Sequence, residues 1–280
     1  RANTELDMAA ISKGFGAKGS GLVRTEHMFT NKERIKTVRL MLLKYFEYEG
    51  IKANDKKASV MADIKKILAE LEEIQAADFY EIYKIFDGEG VTTRLLDAPL
   101  DEFIPKEDAD LKALEDSLKI DRTELLNRLK PFHEINPMLA FRSVRMGIVF
   151  PEIYKSQVRA MFRAAKQRIG EDGHPKVEIE IPLVSEIGEI KIVKAMIEEV
   201  AAETEFNNQV PYRLGIMVET PSAALSGKEV AEILGEHGFI SFGTNDLTQM
   251  TKGISRDGND AALFLQHYLE LDMYNYGKKH

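Results

Sequence analysis

Short apolar runs recur along this chain near residues 21, 91, 139, 178, 214 and 239, and helical patterns fill most of the stretches between them. Strands that alternate with helices argue for a parallel sheet, because each return to a parallel neighbour needs a long crossover. Polar side chains collect where the runs end: Arg24, Arg94, Asp97, Glu219, Asn245 and Asp246. In a (β/α)8 barrel the C-terminal ends of the strands carry the active site. A doubly wound sheet is the alternative. However, no G-x-G-x-x-G follows a strand here, and the polar set is spread over too many strands for a single crevice. The predicted fold is α/β, a (β/α)8 TIM-type barrel, with residues 1–280 forming one domain.

Two of the runs set the chemistry. Phe239 to Phe242 stops abruptly at Gly243-Thr244-Asn245-Asp246, which reads as a buried strand ending in a polar loop. Gly243 lets backbone come close to a ligand, and Asn245 and Asp246 offer oxygens. The plainer reading is a strand end whose Asn-Asp pair caps the next helix. The second run, Leu214 to Val218, ends in Glu219 and is followed by Thr220-Pro221. Parallel neighbours lie about 4.8 Å apart. If the two strands pair, Glu219 and Asp246 reach one hard cation.

The 280 residues, 44% of them hydrophobic, suffice for a large core, and the net charge of −8 argues against a nucleic-acid surface. The chain has no cysteine, hence neither a disulfide framework nor a thiolate zinc site. No signal peptide is apparent, and no apolar stretch is long enough for a membrane span. The class expected is soluble and cytoplasmic, with organellar import of a parent protein left open.

In order, the chain is expected to open directly on a helix, Thr4 to Lys13, with no strand before it. Gly21 to Arg24 is a strand; Arg24 and Glu26 at its exit are either a solvated ion pair or part of an anion site. A charged helical excursion covers residues 30–87, with an exposed loop at Ala53 to Lys57. Val91 to Asp97 is a strand. Leu111 to Leu129 is helical, with Asp121 able to restart a helix. Asn136 to Arg145 combines a turn with a short apolar element, in which Arg142 and Arg145 would share a helix face. Pro151 suits the first position of a helix running to Ile169. Val177 to Val184 alternates, so one face of that strand should meet polar groups. Helices are expected over Glu189 to Glu203, from a Ser222 cap to about Leu234, and over Ala261 to Leu271.

Two carboxylates, an amide and several arginines converging at a barrel mouth suit a doubly anionic substrate with Mg²⁺. Arginine forks grip carboxylate or phosphate bidentately. A Mg²⁺ ion held by two carboxylates keeps positions open for substrate oxygens. Such a site can stabilise an enolate or a transferring phosphoryl group. None of the six histidines sits at a proposed strand end apart from His27, and no convincing nucleophile accompanies the set.

Gly21-Leu-Val-Arg-Thr-Glu-His-Met-Phe29, Val91-Thr-Thr-Arg-Leu-Leu-Asp97, Asn136-Pro-Met-Leu, Met217-Val-Glu-Thr-Pro221 and Ser241-Phe-Gly-Thr-Asn-Asp-Leu-Thr-Gln249 resemble the C-terminal domain of the pyruvate phosphate dikinases; Ser255-Arg256-Asp257 also fits. Phosphoenolpyruvate synthase and enzyme I of the sugar phosphotransferase system are related and share the barrel. The resemblance implies a phosphoenolpyruvate/pyruvate-binding barrel. There, a phosphohistidine on a swivelling domain exchanges its phosphoryl group with pyruvate enolate, and ATP is used in a separate domain.

Carried over by motif, Glu219 and Asp246 would hold Mg²⁺, and Arg24, Arg94 and Arg142 would grip phosphoryl and carboxylate oxygens. Asn245, with the backbone of Gly243 and Thr244, would bind substrate, Arg256 would assist, and Arg145 would be structural. Homodimerisation is implied as well. The chain departs from the family in three ways. The histidine and ATP domains are absent. Ala140-Phe141 and Ser143 stand where the family has glycines beside the arginine, so a bulkier loop could shift Arg142. The family's closing strand with its proton-donating cysteine is expected to be missing and the first strand to be clipped, which predicts a barrel truncated at its first and last strands. As alternatives, the chain is the barrel of phosphoenolpyruvate synthase or enzyme I, a metal-dependent lyase, or a non-catalytic binding and dimerisation module.

Overall fold

The computed structural model describes residues 1–3, 6–29, 34–133, 136–205, 212–255 and 259–273. The elements are β1 (Ala2–Asn3), α1 (Leu6–Gly14), β2 (Ser20–Arg24), α2 (Glu26–Phe29), α3 (Ile35–Gly50), α4 (Asn54–Ile85), β3 (Gly90–Arg94), α5 (Asp108–Leu118), α6 (Arg122–Leu129), α7 (Ser143–Val149), α8 (Pro151–Gly170), β4 (Lys176–Ile181), α9 (Ile187–Glu203), β5 (Arg213–Val218), α10 (Pro221–Leu225), α11 (Gly227–Leu234), β6 (Phe239–Phe242), α12 (Thr244–Lys252) and α13 (Asn259–Glu270).

One parallel six-stranded sheet holds them, in the order β1-β2-β3-β4-β5-β6. A doubly wound sheet must reverse direction at some point so that helices can cover both faces. This order never reverses. With right-handed crossovers, the connecting helices then all fall on one side, and the strands curve around the other side like the wall of a barrel.

The two sides differ in chemistry. On β4, Val177, Ile179 and Ile181 join the hydrophobic core, along with Leu214, Ile216 and Val218 of β5 and Ile153, Val158, Met161 and Phe162 of α8. The alternate β4 positions, Glu178 and Glu180, are equally buried on the opposite face. Glu178 accepts from Arg1 at 2.9 Å, Arg213 at 2.8 Å and Thr92 at 2.6 Å. Burial works against its charge, but these donors outweigh burial and hold its pKa below the usual carboxylate range. The alternation legible in the sequence thus meets polar groups on one face.

Several local expectations hold. Pro151 opens α8, and Asp121 restarts the helix by accepting from the Glu124 N–H at 2.9 Å. Others need correction. The apolar element near residue 139 is not a strand: a 3-10 turn over Pro137–Leu139 leads into helix α7, so the chain passes directly from β3 to β4 through helices. A strand does precede the first helix, since Ala2 and Asn3 pair with Ser20 and Leu22. Helix α4 begins at Asn54, inside the stretch expected as loop. Thr220, not Ser222, caps the helix after β5 by accepting from the Ala223 N–H at 3.1 Å, and that helix is two, α10 and α11. Among the described residues no helix is long and apolar enough to cross a membrane.

Candidate active site

Beyond the C-terminal ends of β3, β5 and β6, acidic and basic side chains alternate in a connected row. Arg94, the last residue of β3, donates Nη2 to Glu26 of α2 and pairs through Nη1 with Asp97 at 2.7 Å. Asp97 also takes Arg142, whose Nε lies 3.2 Å and Nη2 3.0 Å from Asp97 Oδ1. The same Nη2 donates to Asp246 Oδ2 at 3.0 Å. Asp246 sits in the first turn of α12, where the helix dipole favours a carboxylate. The loop after β3 that carries Asp97 is pinned from behind: Gln157 accepts from the Leu96 N–H at 2.9 Å, and Tyr154 donates to the Leu96 carbonyl at 3.1 Å.

Glu219 lies beside this row and is 2% exposed. It accepts from the Leu183 N–H at 2.9 Å, which Leu183 presents from a left-handed backbone at φ 53°. Gly243 makes the approach of β6 possible. A Cβ there would lie 2.4 Å from Glu219 Oε2, so any side chain at 243 would collide with the carboxylate. The close approach that Gly243 permits is to the Glu219 side chain.

Burial, with Asp97 and Asp246 nearby, pushes the Glu219 carboxyl up to about 8, against the pull of Arg94 and the Leu183 N–H. Arg94 is the converse: burial disfavours its charge, but Asp97, Glu26 and Glu219 prevail and hold the guanidinium ionised. Four acids, Glu26, Asp97, Glu219 and Asp246, crowd around two arginines. A stability prediction follows from Glu219. Its folded pKa stands near 8 against an ordinary 4.5, so the folded state keeps a proton that the unfolded chain has released. The stabilisation this gives is complete below the ordinary value and is lost as pH rises toward the folded one. Thermal melts at about pH 5 and pH 8.5 should show the unmodified chain losing more stability than Glu219→Gln; equal losses would refute the assignment.

The predicted residues fare differently. Arg94, Arg142, Glu219, Gly243 and Asp246 come together. Arg24 shares the register of Arg94 at the end of β2 but is exposed. Thr244 and Asn245 open α12 with exposed side chains. The Asn-Asp pair does not cap that helix: its N-cap is Gly243, and no side chain caps it. Arg256 lies outside the described residues. Arg145 donates to the carbonyls of Leu139 at 3.0 Å and Ala140 at 2.8 Å, and so fastens its own loop, as expected of a structural arginine. The bulkier loop does not carry Arg142 away, since both its acidic partners hold it.

Four contributors were not singled out from the sequence. Glu26 was weighed as a partner for Arg24 at the surface; instead it is buried against Arg94. Asp97, noted only as a strand-end residue, joins the two arginines. Ser143 donates to Asp97. Glu180, at the register of Arg94 one strand over, is fully buried near Ser241, and burial raises its pKa. The alternation of β4 could have found Glu180, since an acid at an inward position is unusual.

The family model for the PEP-utilising enzymes, PEP-binding domain, matches residues 2–274. The chain belongs to this family. Among curated relatives, the pyruvate, phosphate dikinase of Rhizobium meliloti is 45% identical over 270 residues, 95% of this chain and 28% of that protein. The dikinase of Rickettsia bellii is 42% identical over 274 residues, covering 96% and 29%. That of Giardia intestinalis is 40% identical over 269 residues, covering 95% and 28%. This PEP-binding domain thus spans somewhat over a quarter of the length of the dikinases it matches.

Proposed function

We propose that this chain is the phosphoenolpyruvate/pyruvate-binding (β/α)8 barrel domain of a pyruvate phosphate dikinase, with residues 30–87 as a helical excursion within it. The observation that carries the proposal is Arg142 bridging Asp97 and Asp246 beside the buried Glu219 carboxyl, at the strand ends of a family member whose relatives are dikinases. In this reading Arg142 turns part of its fork toward a substrate oxygen, and exposed Arg24 swings onto phosphoryl or carboxylate oxygens. Arg94 stays bound to Glu26 and Asp97 and holds positive charge beneath them. Asn245 and the backbone of Gly243 and Thr244 orient the substrate, and Arg256 assists.

Glu219 and Asp246 would hold a Mg²⁺ ion. They fit it because both are oxygen ligands at neighbouring strand ends, and because burial, with Asp97 and Asp246 nearby, disfavours the Glu219 charge, a cost that a cation offsets. When bound, the metal would supply charge stabilisation for an enolate. The phosphoryl group would arrive from a phosphohistidine on another domain of the parent protein, with ATP bound on a third. Homodimerisation and a cytoplasmic setting belong to the same proposal. The sequence holds no cysteine, so a thiol that protonates the enolate carbon would have to come from outside these 280 residues.

Binding and proton transfer are therefore separable. Oxalate mimics the paired oxygens of the enolate. Isothermal titration should give Mg²⁺-dependent oxalate binding, while proton NMR of pyruvate in D₂O should reveal no methyl exchange by this chain. Exchange would mean that another residue, such as His27, is the acid. Absence of oxalate binding would favour a purely structural module.

A further inference from the structure

Ser143, the first residue of α7, carries a backbone that serine rarely adopts. Its φ is 57°, in the left-handed region where an L side chain crowds the following carbonyl, and it is completely buried. Glycine would take this conformation without strain. What the side chain adds is a hydroxyl at one point of the acidic and basic row. Ser143 Oγ donates to Asp97 Oδ1. The same oxygen accepts from Arg142 Nε at 3.2 Å, and that nitrogen lies 3.2 Å from Asp97 Oδ1 as well. Hydroxyl, carboxylate and guanidinium close a three-membered ring of contacts, with the hydroxyl used both as donor and as acceptor. The other Asp97 oxygen is taken by Arg94 at 2.7 Å.

A carboxylate between two arginines can rotate to favour either one. The Ser143 hydroxyl removes that freedom, because by donating to Oδ1 it fixes which Asp97 oxygen faces Arg142. Arg142 is thereby held with Nη2 against Asp246 at 3.0 Å, at the open end of the site. We propose that Ser143 is a positioning residue whose hydroxyl locks Asp97 and so aims Arg142 at the anionic substrate, a role that glycine in the same backbone conformation could not fill. The ligand part of this inference rests on the function proposed above; the positioning part does not.

The two parts predict effects of opposite sign in one variant. Ser143→Gly relieves the backbone and should melt at the same or a higher temperature than the unmodified chain. Yet it should weaken Mg²⁺-dependent oxalate binding roughly tenfold, the scale for one hydrogen bond to a charged group. Ser143→Ala keeps the strained backbone without the hydroxyl, and should lose affinity similarly while melting lower. The decisive readout is the solvent exchange rate of the Arg142 Nε–H in ¹⁵N NMR, assigned by its disappearance in Arg142→Lys. Exchange should quicken by about tenfold or more in both variants.

A merely structural serine would instead make affinity follow melting temperature, and would leave exchange unchanged in the glycine variant; either result overturns the proposal. If the unmodified chain binds no oxalate, the substrate reading fails, while the Arg142 exchange rate still decides the role of Ser143. Should the glycine variant not fold, the alanine variant decides on exchange alone.

Discussion

Replacing Arg94 with alanine is expected to destabilise the folded chain by about 3–5 kcal/mol, the scale for removing one partner from a buried charge pair. The reason lies in what would be left behind. Arg94 is 6% exposed, and its guanidinium binds Glu26 and Asp97 with Glu219 close by. Without it, three buried acids would face one another, with only Arg142 to compensate. Proton uptake would relieve part of the repulsion, so the loss should be smaller at low pH. Urea denaturation at neutral and acidic pH measures both effects. A loss below about 1 kcal/mol, the ordinary scale of an exposed pair, would mean that the pairing is not buried as described. This alters what Arg94 does in the proposed function. In that proposal Arg94, buried against Glu26 and Asp97 on the closed side of the row, acts through its charge, whereas Arg142 at the open end and exposed Arg24 make direct contact.

Glu219→Gln and Asp246→Asn should each weaken Mg²⁺-dependent oxalate binding by about 100-fold or more, roughly 2.7 kcal/mol, while leaving the fold intact. For Glu219 the argument is the raised pKa. Because its carboxyl keeps a proton to about pH 8, glutamine reproduces the neutral form already present at neutral pH and should cost little stability. The same substitution removes the charge that a cation would draw out. Asp246 is partly exposed at the start of α12, and its amide analogue can still accept from Arg142. Titration calorimetry with and without Mg²⁺, beside thermal melts, separates the two effects. Unchanged metal dependence in both variants would remove Mg²⁺ from the proposal.

The sequence by itself determined the strand-helix alternation, the placement of polar residues at strand ends, and most of the pairing of motif with element. These are local or periodic signals: an apolar run of β-branched residues, Pro151 at a helix start, acids at the alternate positions 178 and 180 of β4. The family followed from motifs that occur in order along the whole chain. Only the tertiary structure decided which acid meets which arginine. Glu26 and Arg24 are near neighbours in sequence, yet Glu26 pairs with Arg94, 68 positions away, because β2 and β3 lie side by side and α2 turns Glu26 inward.

The element near residue 139 departs from its strand-like pattern for a related reason. Its short apolar run suits a strand or a helix equally, and the sheet chose: β3 pairs directly with β4, leaving no place for a strand between them. Ser143 was legible only as a residue bulkier than glycine. That it keeps the left-handed backbone and uses its hydroxyl on Asp97 depends on a loop 46 residues away in sequence. The Glu219 pKa likewise comes from burial and from Asp97 and Asp246, which the loop after β3 and helix α12 bring near it and which no local pattern encodes.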